Sequence, residues 1–151
     1  MTYEEKIQKA AEKKIFVLYD LLNKDNIVGI YKFFRIKGAE KHCFYIGKST
    51  SIAFRLFGSS QGHIHMFLNN DYSKLVPSKI AEYLNDDYTI QVEIEEIDYS
   101  DTSFSKAAHR LALAELQQIV HYQSIGQCEF QTPEGAGTYE EKFWEENYKT
   151  K

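Results

Sequence analysis

Tyr31 and Tyr45, each two positions from a glycine in a short β-like segment (Gly29-Ile30-Tyr31 and Tyr45-Ile46-Gly47), are the residues best placed to do chemistry. Arg55 follows Tyr45 by ten positions, and Glu115 interrupts an otherwise apolar helical run much later. A guanidinium is always charged, and its planar fork matches phosphate oxygens bidentately. A phenol has a pKa of about 10 and needs a nearby cation to act as a base near neutrality. Lys48, just after the second segment, is one candidate for that cation or for binding phosphate. A carboxylate on a buried helical face is costly unless a cation or donors compensate it. Magnesium suits the role, because it keeps several waters and often takes one carboxylate plus substrate phosphate. Two phenols, a guanidinium and one carboxylate make a toolkit for metal-assisted phosphodiester hydrolysis.

Taken singly, each residue has an ordinary reading: strand tyrosines pack, and isolated arginines decorate surfaces. The combined spacing is what sets this chain apart. Gly29-Ile30-Tyr31, Tyr45-Ile46-Gly47-Lys48, Arg55 and Glu115 together resemble the GIY-YIG nuclease family over about residues 27–127. The resemblance implies a three-stranded, mostly antiparallel sheet carrying both tyrosines, with the arginine and glutamate on following helices. It implies Mg²⁺ (Mn²⁺ may substitute) held by Glu115, which would stabilise the leaving oxygen. Tyr31 with Lys48 would activate water, Tyr45 would share that role or bind phosphate, and Arg55 would brace the phosphate. Lys32, Lys48, Arg55 and Gln127 are the residues expected to contact DNA. The chain departs from the family at Ser59, where a histidine is common, at Gln127, where asparagine is usual, and at Ser124, where proline is usual. His63 and His65 follow a glycine-rich insertion, and His63 is the candidate replacement imidazole.

The implied activity is that of a DNA endonuclease of restriction or phage type. Cutting both strands with one site per chain would favour a homodimer or tetramer. A second reading keeps the fold as a nucleic-acid-binding module without turnover, and a third gives the acidic C-terminal half to a basic protein partner. Gly47-Lys48-Ser49 looks like the end of a nucleotide-binding P-loop, but His42 stands where its first glycine belongs. His42, His109 and His121 show no zinc spacing.

Net charge is −4, yet residues 27–79 carry +6 and residues 80–151 carry −10. A local basic field around the paired segments is what a polyanion needs, and whole-chain charge averages it away. No apolar run approaches the roughly 18 residues of a membrane span, so no membrane partner is expected. The polar, acidic first residues are unlike a leader. Cys43 and Cys128 match no metal spacing and read as reduced thiols in a cytoplasmic protein.

One domain is expected over residues 1–151, with residues 1–26 an N-terminal helix and residues 128–151 a C-terminal extension. Thr2 and Glu5 form a capping box, and Ile7, Ala11, Ile15, Leu18 and Leu22 recur at helical spacing, predicting one helix to about Leu22. A hairpin follows over residues 27–48, then short helical pieces over 49–84 broken near Asn69-Asn70-Asp71. Alternation from Tyr88 to Glu95 predicts a half-buried strand, and Ser103 opens the longest helix. Thr138 with Glu141 predicts a second capping box before a terminal helix. This order gives an α+β domain with a small, mostly antiparallel sheet flanked by helices.

Overall fold

The computed structural model describes residues 1–24 and 26–150; Asp25, in the turn expected after the first helix, and Lys151 lie outside the described residues. Ten elements follow in order: α1 (Tyr3–Glu12), β1 (Ile15–Val17), β2 (Gly29–Lys37), β3 (Glu40–Ser49), α2 (Ile52–Phe57), α3 (His63–Leu68), α4 (Leu75–Asn85), β4 (Thr89–Glu96), α5 (Phe104–Ser124) and α6 (Thr138–Asn147). The architecture is α+β, but the sheet has four strands in the order β1-β4-β2-β3 and is mixed rather than three-stranded and antiparallel. β2 pairs antiparallel with β3 and β4, while β1 runs parallel to β4.

The extra strand corrects the first-helix expectation. The Thr2–Glu5 capping box forms, but α1 stops at Glu12 and Lys14 turns the chain through a left-handed conformation (φ 67°). Ile15-Phe16-Val17 is β-branched and aromatic, a run that fits a pleated surface better than a helix. The main chain locks it to β4: Ile90 N–H donates to the Lys14 carbonyl, and Leu18 N–H donates to the Val92 carbonyl. A helical period at Ile15 and Leu18 was satisfied locally and overridden by burial beside Ile90. The terminal helix is shifted by one residue from expectation: Gly137 is its N-cap, and the Glu140 carboxylate accepts from Gly137 N–H at 3.0 Å.

Two cores lie on opposite faces of the sheet. Tyr31, Phe33 and Phe44 meet Leu56, Phe57, Ile64 and Ile80 from α2–α4 on one face. Phe34, Cys43 and Ile46 meet Ile119 and Tyr122 of α5, with Cys128, on the other. Cys43 and Cys128, distant in sequence, are both buried free thiols with their sulfurs 3.3 Å apart. A bulge decides which face each β3 residue takes. Tyr45 pairs with Phe33 while Cys43 pairs with Phe34, so Phe44 is the extra residue. Without it Tyr45 would point toward α5; with it, Tyr45 joins Tyr31 on the α2–α4 face.

Lys6 of α1 is buried, and its ammonium donates to the Phe57 carbonyl at the end of α2, 2.7 Å away. It therefore tethers the helix that carries Arg55. Lys6→Met keeps the stem but orphans that carbonyl, so urea unfolding should show a loss of about 1–3 kcal/mol. An unchanged midpoint would mean the contact contributes nothing.

Candidate active site

The two motif glycines are fixed by contact. A Cβ at Gly47 would stand 2.3 Å from the Tyr31 hydroxyl, because Tyr31 pairs with Gly47 and its ring lies across it. A Cβ at Gly29 would stand 2.1 Å from the Glu95 carbonyl of the neighbouring strand β4. Each tyrosine has a distinct setting. Tyr31 is 1% exposed, and its hydroxyl shares a 2.9 Å hydrogen bond with Nε2 of His63. Tyr45 is half-buried at the edge strand, its ring 6.3 Å from that of Tyr31 and 5.5 Å from the His63 imidazole.

Tyr45 is the partition between two depressions. On one side a cleft of about 290 Å³ is lined by Tyr45, Arg55, Gln61, His63 and Lys74. On the other a groove of about 430 Å³ is lined by Tyr45, Lys48, Glu115, Gln131 and Glu134, with an apolar wall from α5. The phenols and Arg55 thus belong to the α2–α4 side, while Glu115 opens on the α5-side groove and shares the Tyr45 wall with them.

The protonation pattern follows from burial. Burial pushes the Tyr31 phenol well above its ordinary value, the neighbouring Tyr45 adds to this, and the Arg55 guanidinium opposes it. Burial likewise raises Tyr45, with Arg55 and Lys48 pulling down and Glu115 pushing up. Neither phenol is ionised near neutrality. His63 is held neutral, its pKa lowered to about 3 by burial and then by Arg55. Glu115 is raised by burial, with Lys48 opposing and Glu134 adding to the rise.

His63 makes stability depend on pH. Its native pKa lies below the ordinary imidazole value, so only the unfolded chain takes up a proton between about pH 6.5 and pH 3. Stability falls as pH drops through that window; from pH 7 to pH 5 this one group costs about 2 kcal/mol. Urea unfolding at both pH values should show it, and His63→Gln should flatten that part of the profile. An equal slope in the variant would contradict the assignment.

The residues named from sequence divide into two groups. Tyr31, Tyr45, Arg55 and His63 come together, and Lys48 and Glu115 meet across the β3 edge with Nζ and Oε1 4.0 Å apart. Lys48 is not the cation beside Tyr31: it pairs with Ile30 on the alternate face of β3 and bridges Glu115 and Glu134 instead. His65 faces a separate pocket with Lys6, Lys9, Lys13 and Ser59. Lys32 lies on the α5 face over the Tyr122 ring, its ammonium 3.4 Å from Gln118, away from the cleft. Gln127 accepts from Cys43 N–H at 2.6 Å and serves the bulge rather than an open surface.

Sequence reasoning missed Lys74, Gln131 and Glu134. Lys74 stood within the basic block and carried only that signal. The Gln131 amide donates to the Ile46 carbonyl and accepts from its N–H, both at 2.7 Å, closing the free edge of β3. Residues 131–134 of the C-terminal extension thus wall the groove beside Glu115. Among the described residues no group of three or more His, Cys, Asp or Glu gathers in metal-binding geometry, and no helix is long and apolar enough to cross a membrane. In comparisons with known proteins, no family model matches the chain, and no curated protein or solved structure gives a significant match.

Proposed function

We propose that this chain is a GIY-YIG-type endonuclease that hydrolyses DNA phosphodiesters with a divalent metal. One observation carries the reading: Arg55 and Lys74, which make no ion pair among the described residues, share a cleft with neutral His63 and the Tyr45 phenol. Most other cations of the basic block are answered by acidic residues, as Lys37 is by Asp86 and Lys41 by Glu93. Of the three block cations without an ion pair among the described residues, Lys32 lies on the α5 face, and Arg55 and Lys74 lie beside the candidate chemistry, where a phosphate would be drawn.

Glu115 is the residue that would hold magnesium or manganese. The donor set fits: a half-buried carboxylate raised by burial and opening on a groove leaves the remaining positions to water and phosphate oxygens. When bound, the ion supplies positive charge for the oxygen that leaves phosphorus. Arg55 braces the phosphate with its planar fork and offsets charge building on phosphorus. Tyr45, as a neutral phenol, orients the attacking water. The Tyr31 hydroxyl and His63 Nε2 share a hydrogen bond that fixes the imidazole, and in the tautomer whose Nε2–H donates to the Tyr31 oxygen Nδ1 is the proton acceptor. Phosphate at Arg55 removes the repulsion that, after burial, most opposes the imidazolium, so substrate itself makes His63 a better base. Tyr31 is thus a positioning residue rather than the base expected from sequence.

The Lys48–Glu115 pair favours a second reading, in which the carboxylate serves only as a counter-ion within a module that binds without cutting. Cleavage of an end-labelled duplex separates the two. Arg55→Ala should lower kcat/KM by about 10²–10³, and Tyr45→Phe should also slow the reaction. Lys32→Ala, on the α5 face, should leave the rate within about twofold. Wild-type rates for Arg55→Ala would remove the proposed phosphate site.

A further inference from the structure

Lys6 is only 5% exposed, and of the three donors on its ammonium one is used, by the Phe57 carbonyl. Among the described residues no carboxylate lies within ion-pair distance of it. A buried charge without a counter-ion is costly, so the remaining donors call for a negatively charged acceptor. Lys6 lines a depression of about 290 Å³, with Lys9 and Lys13 on one wall and Ser59, His65 and Asn69 on the other. The three lysines are spaced three and four residues apart and so share one side of α1 and its C-cap. Lys9 and Lys13 make no ion pair among the described residues, and no carboxylate lines the depression. Glu5, one turn before Lys9, has its carboxylate in the Thr2 capping box. His65 adds no charge: burial first, and the Lys6 ammonium next, hold its pKa down.

We propose that this depression is a phosphate-binding site, separate from the one at Arg55. Lysine holds phosphate as a point charge, and hydroxyl and amide groups such as those of Ser59 and Asn69 are common partners of phosphate oxygens. One oxygen would accept from Lys6 and supply the missing negative charge, and Lys9 and Lys13 would flank it. The loop between α2 and α3 borders both sites: Ser59 lines this one, and Gln61 lines the Arg55 cleft. A nucleic-acid backbone, with phosphates in series, is the source that would occupy both at once. Free phosphate would occupy each alone. Binding here requires neither metal nor cleavage, so the proposal stands or falls apart from the nuclease reading.

Inorganic phosphate, titrated into the full chain at constant ionic strength without divalent metal, should shift the backbone amide resonances of Ser59 and Asn69 saturably. The double variant Lys9→Gln, Lys13→Gln changes two exposed positions. It should keep the wild-type circular dichroism and weaken that response at least about tenfold. Arg55→Ala should leave the response in place, which separates this site from the cleft. On a short duplex, the double variant should lower the slope of log K against log salt by about one, the value for a single lost phosphate contact. A phosphate response lost in the double variant with an unchanged duplex slope would support the site and assign it to a free phosphate group instead of a nucleic-acid backbone. No saturable response in the wild type, or one that the double variant keeps, would overturn the proposal whatever the duplex does.

Discussion

Replacing Glu115 with glutamine is expected to lower cleavage by at least about a thousandfold while leaving the fold and DNA binding intact. The separation of these effects follows from where the carboxylate sits. Its partner Lys48 is 4.0 Å away, and the two side chains are 21% and 28% exposed, a pair of small energetic weight. Burial already raises the Glu115 pKa, so the ionised form is not strongly rewarded in the free protein. Neutral glutamine should therefore change unfolding free energy by less than about 1 kcal/mol. Removing the one charged oxygen donor assigned to the metal removes the reason for the charge to be there. Single-turnover cleavage, a melting curve and gel retardation on the same preparation measure all three quantities. Normal cleavage, or lost stability with retained turnover, would make Glu115 a structural counter-ion.

Gly29→Ala is expected to have the largest effect on folding. The added methyl would stand 2.1 Å from the Glu95 carbonyl and 3.0 Å from the Glu96 Cα, both main-chain atoms of β4. β2 and β4 are the two inner strands, so neither can yield without parting the sheet. A destabilisation above about 4 kcal/mol follows, enough to leave a small domain largely unfolded. Gly38→Ala provides the contrast: it sits in the hairpin turn at φ +58° with nothing within 4 Å of a new Cβ. That change should cost only about 1 kcal/mol, from left-handed backbone. Soluble expression and urea unfolding of both variants make the comparison, and a stable Gly29→Ala protein would contradict the strand register.

These glycines show which parts of the sequence could be read. Alternation identified β4, the hairpin reading over residues 27–48 placed β2 and β3, and Ser103 marked the start of α5 because its hydroxyl accepts from Lys106 N–H. The hairpin signal also located the tyrosines. It could not tell which one meets solvent, since that depends on the Phe44 bulge and on the edge position of β3. β1 was hidden because Ile15 and Leu18 satisfy a helical period as well as a strand, and only pairing with β4 decides. Gln131 and Glu134 were invisible for a related reason: their partners, Ile46 and Lys48, are about 85 residues away in the chain. The basic block was legible as charge, but the acids that pair with most of it lie later in the sequence, leaving Arg55 and Lys74 in one cleft and Lys32 on the α5 face.

Plasmid cleavage with and without divalent metal tests the proposed chemistry most directly. With Mg²⁺ or Mn²⁺, supercoiled DNA should pass to nicked and linear forms, and excess chelator should stop the conversion. DNA that is retarded on a low-salt gel yet stays supercoiled with either metal would contradict hydrolysis and leave a binding module.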